Sequence, residues 1–124
     1  MNRFKEVICL CAKNFLELLN SDILLDSEKK LFQKYVDNET EDNELEREIF
    51  NISYFLYKHY HQKVIILIDE YDVPLQAAYQ YNYYDEMVEF LRSVFSSALK
   101  TNDALEKGIM TGCLRISKES IFTG

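Results

Sequence analysis

Glycine is scarce in this chain of 124 residues, and none of the three glycines precedes position 108. Loops that bind phosphate through the motif G-x-x-x-x-G-K-[ST] need glycines that expose backbone amides and a lysine that supplies positive charge. Gly108, Gly112 and Gly124 do not have this spacing, and no Lys-Ser or Lys-Thr pair follows them. The sequence therefore contains no phosphate-binding loop of this kind.

The chain also has few positively charged residues and only three cysteines. The 14 Lys and Arg residues are outnumbered by 21 Asp and Glu residues, and the net charge is -7. This balance argues against direct binding of nucleic acid and against a cationic membrane-surface protein. Cys9, Cys11 and Cys113 are odd in number, which predicts reduced thiols. No apolar run approaches the roughly 20 residues of a membrane span, and we expect a soluble, cytoplasmic protein.

Helical periodicity covers most of the chain, because apolar residues recur at spacings of three and four. The predicted helices are residues 4–19, 26–36, 43–61 and 85–100, followed by a short helix capped by Ser117. Residues 37–42 are predicted to be an acidic linker, and residues 76–84 a polar, tyrosine-rich connection. Asn43 and Glu46 have the spacing of a capping box.

The most distinctive stretch is residues 63–76, in which five consecutive apolar residues lead directly into Asp69 and Glu70. Such a run is typical of a strand buried on both faces of a parallel sheet. Carboxylates at the carboxyl end of such a strand lie where open α/β sheets bind ligands. The stretch has the form of a Walker B element, in which Asp69 holds Mg²⁺ and Glu70 activates the attacking water. The alternative is a core strand that ends in a solvated acidic turn.

A second, weaker strand is predicted at residues 108–114. We expect it to lie parallel to residues 63–68 and beside them, with the helix at residues 87–99 in a right-handed crossover between them. Asp69, Glu70 and Thr111 would then share one rim of the sheet. A parallel sheet of two strands is too small to be stable alone. Either further strands lie in the stretches predicted as helical, or the chain is part of a larger domain.

Three segments of the chain together resemble the bacterial AAA-ATPase-like family. They are residues 67–76, 83–87 and 111–124, and their order and spacing also match the family pattern. The resemblance covers most of the chain and is strongest from about residue 43 onward. It implies an α/β fold, here a partial P-loop NTPase with a parallel βαβ core and N-terminal helices. Residues 1–124 would form this partial domain, with N-terminal helices and linker at 1–42 and the core at 43–124.

The resemblance also implies ligands and roles for individual residues. Mg²⁺ and ATP are the expected cofactors, with Asp69 as the metal ligand and Glu70 as the catalytic base. Thr111 is similar to the polar sensor position, and Arg115 to a charge that stabilises phosphate. Alternatives remain for both: Thr111 as a turn residue, and Arg115 as a surface partner of Asp85 or Glu119. The roles of Asp69 and Glu70 are implied by the resemblance together with the strand pattern.

The chain departs from the family pattern where the phosphate-binding loop and its strand should stand. It therefore looks like an internal fragment that carries the Walker B and sensor strands and does not hydrolyse ATP alone. Its partners would be a nucleotide in the full-length parent and the missing strands or a partner protein. Nucleic acid would be reached only through a nuclease-like domain of the PD-(D/E)XK type, which often follows in the family. The alternative is a non-catalytic remnant that acts as a protein-interaction module.

Other polar and aromatic residues support simpler interpretations. His59 and His61 are two positions apart in a predicted helix, which places them on different faces and argues against zinc. Asp72 is expected to hydrogen-bond the turn before Pro74. The tyrosines between residues 79 and 84 have the aromatic character of a base-stacking surface. Because no Lys or Arg lies between residues 76 and 91, a packed or partner-facing role is favoured.

Overall fold

The computed structural model describes residues 2–70 and 73–112 as a helical body with a small parallel sheet. The elements in chain order are α1 (Asn2–Ala12), a 3-10 helix (Lys13–Asn20), α2 (Asp26–Val36), a 3-10 turn (Asp42–Glu44), α3 (Leu45–Tyr60), β1 (Val64–Ile68), α4 (Val73–Gln80), α5 (Tyr84–Leu99) and β2 (Leu105–Met110). Among the described residues, no helix has the length and apolar character needed to cross a membrane.

The core lies between α3 and α5, which pack against each other along their apolar faces. Two aromatic pairs attach the N-terminal helices to this centre. Phe4 of α1 meets Phe90 of α5 edge to face at 5.3 Å, and Phe32 of α2 meets Phe55 of α3 at 6.4 Å. The core therefore joins the predicted N-terminal segment and the segment that bears the sheet.

The first predicted helix, residues 4–19, is not continuous. The α-helix ends at Ala12, and Phe15 has non-helical backbone angles (φ -127°, ψ 38°) before the 3-10 segment continues. Spacings of three and four fit both helix types, so the apolar stripe continues through the kink and still buries Leu18. The prediction of one helix was therefore wrong, although the buried face was placed correctly.

The predicted capping box of Asn43 and Glu46 does not form, because α3 begins two residues after Asn43 without a side-chain cap. A contact between the acidic linker and α3 is present instead of the capping box. The hydroxyl of Thr40 donates to a carboxylate oxygen of Glu48 at 2.5 Å, and both side chains are buried. Glu48 is only 2% exposed. Burial raises the pKa of the Glu48 carboxyl above its ordinary value of 4.5, against the lowering effects of the Thr40 hydrogen bond and of Lys5.

Replacing Glu48 by glutamine is expected to increase the free energy of unfolding near pH 7. Because the folded-state pKa of Glu48 is raised, ionised Glu48 reduces stability above that pKa, and this reduction disappears as the pH falls toward 4.5. The neutral amide retains an oxygen that can accept from Thr40, and its desolvation is less costly than that of a carboxylate. Urea unfolding over a series of pH values should give a difference between the variant and the wild type that shrinks toward acidic pH.

The matched control for this comparison is Glu46→Gln, which removes the same charge from an exposed position on the same helix. It should show no comparable pH-dependent gain. A Glu48→Gln protein that is less stable than the wild type at every pH would contradict the prediction.

The predicted parallel pairing of the two strands is confirmed. β1 and β2 lie side by side, with Ile66 opposite Gly108 and Ile68 opposite Met110. The strand β2 begins at Leu105, three residues before the predicted start, and its pairing with β1 is irregular after Val64.

The prediction that β1 is buried on both faces was wrong. Alternate residues are exposed, with Ile65 at 59% and Leu67 at 70%. Helix α5 contacts β2 on the sheet's covered side, where a Cβ on Gly108 would lie 2.6 Å from a methyl carbon of Leu99. Glycine at position 108 therefore permits a close approach of helix and strand. The run of five apolar residues indicates a strand that could be covered on both faces. The described residues cover only one of these faces.

The predicted polar connection at residues 76–84 is largely helical. Helix α4 begins at Val73 and ends at Gln80, with Pro74 in its first turn. Proline ends a strand, but it is also well tolerated in the first turn of a helix because its missing N–H is not needed there. Pro74 therefore lies at the beginning of a helix and does not simply end the strand. The non-helical connection consists of residues 81–83 only.

Asn102 fixes the connection between α5 and β2. Its side-chain amide donates to the carbonyl oxygen of Ala98 at 2.9 Å and to the hydroxyl of Ser53 at 3.0 Å. Its side-chain oxygen accepts from the N–H of Ala104 at 3.0 Å. Since Asn102 is buried, these three contacts join the end of α5, the start of β2 and the middle of α3. They set the position from which β2 runs beside β1.

Candidate functional site

The candidate site lies at the carboxyl-terminal rim of the two parallel strands. Asp69 and Glu70 follow β1 directly, and Thr111 follows β2 directly. The N–H of Thr111 donates to the carbonyl oxygen of Ile68 at 2.8 Å, which extends the pairing of the strands by one step. The sheet therefore brings three of the four predicted site residues to one edge.

The hydroxyl of Thr111 bridges the two acidic residues. It donates to a carboxylate oxygen of Asp69, and it accepts from the backbone N–H of Glu70 at 3.2 Å. A hydroxyl is suited to this position because it can donate and accept at the same time. The contact between Asp69 and Thr111 fixes the position of the carboxylate relative to the end of β2.

Glu70 has a left-handed backbone conformation with φ of 54°. This region is uncommon for residues other than glycine, although Asn38, His61, Asn82 and Thr101 also adopt it. The carbonyl oxygen of Glu70 accepts from the N–H of Val73 at 3.1 Å, so the chain turns here from the strand toward α4. The unusual conformation thus occurs at the residue predicted to be the catalytic base.

The site is open to solvent and is acidic. Asp69, Glu70 and Thr111 are all exposed. Within residues 2–70 and 73–112, no group of three or more His, Cys, Asp or Glu side chains stands at metal-binding distance. Mg²⁺ does not require such a group, because it is commonly held by one or two carboxylates together with waters and substrate phosphates. The carboxylate of Asp69 and the hydroxyl of Thr111 are adjacent hard oxygen donors, which fits Mg²⁺ in this coordination.

Several sequence predictions fall outside the part of the chain that the structure describes. These are the role of Arg115, the hydrogen bonds of Asp72 and the helix capped by Ser117. The participation of the Glu70 amide in the site was not predicted from the sequence. The end of the apolar run and Pro74 both indicate a turn. Neither feature specifies a left-handed conformation at position 70.

The fold and this rim define a class of protein. It is an α/β protein whose acidic residues lie at the carboxyl ends of adjacent parallel strands, the edge at which open α/β sheets bind ligands. A family model described as a predicted AAA-ATPase matches residues 3–122. The chain therefore belongs to the AAA-ATPase-like family. Comparisons with curated proteins and with solved structures find no match.

Proposed function

We propose that the chain forms the acidic side of a Mg-ATP site in a P-loop NTPase, with β1 as the Walker B strand and β2 as the sensor strand. The observation that supports this most is the contact between Asp69 and Thr111 at the ends of adjacent parallel strands. Membership of the AAA-ATPase-like family supports the same choice of nucleotide.

Each residue of the rim has a separate role in this proposal. Asp69 provides an oxygen for Mg²⁺, and Thr111 holds that carboxylate against the end of β2. Glu70 accepts a proton from the attacking water. The bound metal would neutralise part of the phosphate charge. Arg115 is proposed as an additional positive charge near phosphate.

The proposed role requires groups beyond these 124 residues. ATP carries several negative charges, and it would meet the carboxylates of Asp69 and Glu70 on a chain of net charge -7. In P-loop NTPases, backbone amides and a lysine hold the phosphates. No G-x-x-x-x-G-K-[ST] motif occurs in this sequence. The γ-phosphate is therefore not oriented for attack by the chain alone.

Mn²⁺, a paramagnetic substitute for Mg²⁺, tests the metal role directly. Titration of the labelled chain should broaden the amide NMR signals of Glu70 and Thr111 first, because both lie beside the Asp69 carboxylate. Asp69→Asn should abolish this local broadening, whereas Asp103→Asn, at the other end of the sheet, should leave it unchanged. Broadening that spares Glu70 and Thr111 would contradict the proposed metal site.

Nucleotide binding by the chain alone provides a second readout of the same proposal. With a fluorescent ATP analogue and Mg²⁺, we expect a dissociation constant above about 1 mM and no phosphate release. Glu70→Gln should therefore behave as the wild type in both assays. Micromolar binding with turnover that Glu70→Gln abolishes would show that these residues suffice, with Arg115 as the first basic group to examine.

An interaction module is the second candidate, and the exposed face of the sheet favours it. Ile65, Leu67 and Ile109 are apolar and exposed on strands that, in parallel sheets, are normally covered on both faces. In this function a partner protein supplies the missing strands and cover. Asp69→Asn separates the candidates, because it would remove the Mn²⁺ effect in the first and would leave partner binding intact in the second.

A further inference from the structure

A cavity of about 460 Å³ opens beside the connection between α4 and α5. It is lined by Tyr79, Asn82, Tyr83, Tyr84, Asp85 and Glu86. Its volume lies within the usual range of ligand pockets. The cavity belongs to the tyrosine-rich segment, for which the nucleotide site gives no role.

Three of the six residues that line the cavity are tyrosines. Tyr79 and Tyr84 meet edge to face, with ring centres 6.1 Å apart and ring planes at 89°. Tyr79 is 74% exposed and Tyr83 is 36% exposed, so their rings remain accessible. Tyrosine faces carry negative potential that attracts cations. An aromatic cavity with accessible rings therefore suits a ligand group that is positively charged and flat.

The charge around the cavity has the same preference. Asp85 and Glu86 lie in the first turn of α5 and line the cavity. Between Lys63 and Arg92 the sequence contains no Lys, Arg or His and six acidic residues. This segment therefore supplies no positive charge of its own to neutralise the two carboxylates. A phosphate-bearing ligand would be repelled here.

The backbone holds the cavity in shape. The N–H of Tyr83 donates to the carbonyl oxygen of Ala78 at 2.9 Å, and the N–H of Met87 donates to the carbonyl oxygen of Tyr83 at 3.1 Å. Asn82 takes a left-handed conformation with φ of 65°, which asparagine tolerates well. These contacts connect the end of α4 to the start of α5 and fix the backbone that carries the lining residues.

We infer that this cavity binds an arginine side chain from a protein partner. A guanidinium group is planar, stacks on aromatic rings and forms paired hydrogen bonds with carboxylates. The cavity offers both kinds of contact, through Tyr79 and Tyr83 and through Asp85 and Glu86. An ammonium group would use the charge but not the flat geometry. This site is separate from the rim at Asp69 and does not depend on nucleotide binding.

The source of the arginine follows from the groups that flank its side chain. Free arginine carries an α-carboxylate, which Asp85 and Glu86 repel, and an α-ammonium group, which they attract, so these two charges largely offset each other. An arginine within a peptide instead has neutral neighbouring groups that can pack on the accessible rings of Tyr79 and Tyr83. The cavity is open to solvent, so a side chain can enter while its backbone remains outside. A protein-borne arginine is therefore preferred over the free amino acid.

The test uses NMR titration of the 124-residue chain with acetyl-Gly-Arg-Gly-amide. The matched probe is the same peptide with citrulline, which keeps the shape of arginine and lacks its charge. We expect saturable shifts at the cavity residues with the arginine peptide, binding at least about tenfold weaker with citrulline, and weaker binding of free L-arginine. Equal binding of citrulline, or tighter binding of free L-arginine, would overturn the inference.

Variants locate the binding. Asp85→Asn combined with Glu86→Gln should weaken the arginine peptide by about tenfold or more. Asp103→Asn combined with Glu106→Gln removes the same charge beyond the far end of α5, a helix of 16 residues and about 24 Å, and should have little effect. Tyr79→Ala, at an exposed position, should also weaken binding without affecting the fold. Retention of full affinity in both cavity variants would refute the site.

An oligothymidylate titration examines the base-stacking alternative for the same tyrosines. Because Asp85 and Glu86 repel the phosphates of this probe, we expect it to cause no shifts at the cavity residues. Shifts at Tyr79 and Tyr83 with oligothymidylate and none with the arginine peptide would replace the inference with single-strand binding.

Discussion

Phe32→Ala is expected to lower the free energy of unfolding by about 3–5 kcal/mol, the usual cost of removing a buried phenylalanine ring. Phe32 is fully buried in α2, and its ring meets that of Phe55 in α3 edge to face. The substitution removes this aromatic pair and leaves a cavity between the two helices. For a small domain whose total stability is typically about 5–15 kcal/mol, a loss of this size is a large fraction.

Urea unfolding followed by far-ultraviolet circular dichroism measures this effect. Phe32→Leu keeps most of the buried volume, so it should cost less than about 1.5 kcal/mol. Tyr81→Ala removes an aromatic ring from an exposed position and should change stability by no more than about 0.5 kcal/mol. A Phe32→Ala protein within about 1 kcal/mol of the wild type would mean that α2 does not pack on α3 as described.

Asn102→Ala is expected to cost about 2–4 kcal/mol, because one substitution removes three buried hydrogen bonds. The N–H of Ala104 and the carbonyl oxygen of Ala98 lose their side-chain partner, and the hydroxyl of Ser53 loses a donor. Leaving a buried polar group without a partner costs more free energy than its hydrogen bond contributed to stability. Loss of these contacts also releases the start of β2.

The comparison for this variant is Asn43→Ala, an exposed asparagine in the 3-10 turn before α3. It should unfold at nearly the same urea concentration as the wild type. The Asn102 variant should unfold at a clearly lower concentration and should show changed amide signals in β2. Equal midpoints for the two variants would show that the Asn102 contacts contribute little.

The order of the elements was predictable because it depends on local patterns. Helical spacing located α2, α3 and α5, and the apolar run at residues 64–68 located β1. Once β1 and β2 are parallel, the meeting of Asp69 and Thr111 follows, since parallel strands end at the same edge. The sequence therefore contained the position of the candidate site, although the roles of its residues remain predictions.

The features that escaped prediction depend on contacts between distant residues. The buried carboxyl of Glu48 looks like a solvent-facing acid in the sequence, and only its contact with Thr40 identifies it as buried. The exposure of Leu67 depends on how many elements cover the sheet, which a single strand does not encode. The kink at Phe15 and the helix beginning at Val73 were missed because their local signals fit two structures equally well.

The pairing of β1 with β2 also has a consequence for the order of folding. The strands are separated by α4 and α5, so their ladder closes a long loop, whereas helices form from local contacts on a shorter timescale. We therefore expect the rim that holds Asp69 and Thr111 to assemble after the helices and to be among the first regions to open. Its amides should then exchange hydrogen with solvent through partial opening, and a ligand that bridges both strand ends should slow that exchange. Occupancy of the rim is therefore linked to the lifetime of the strand pair.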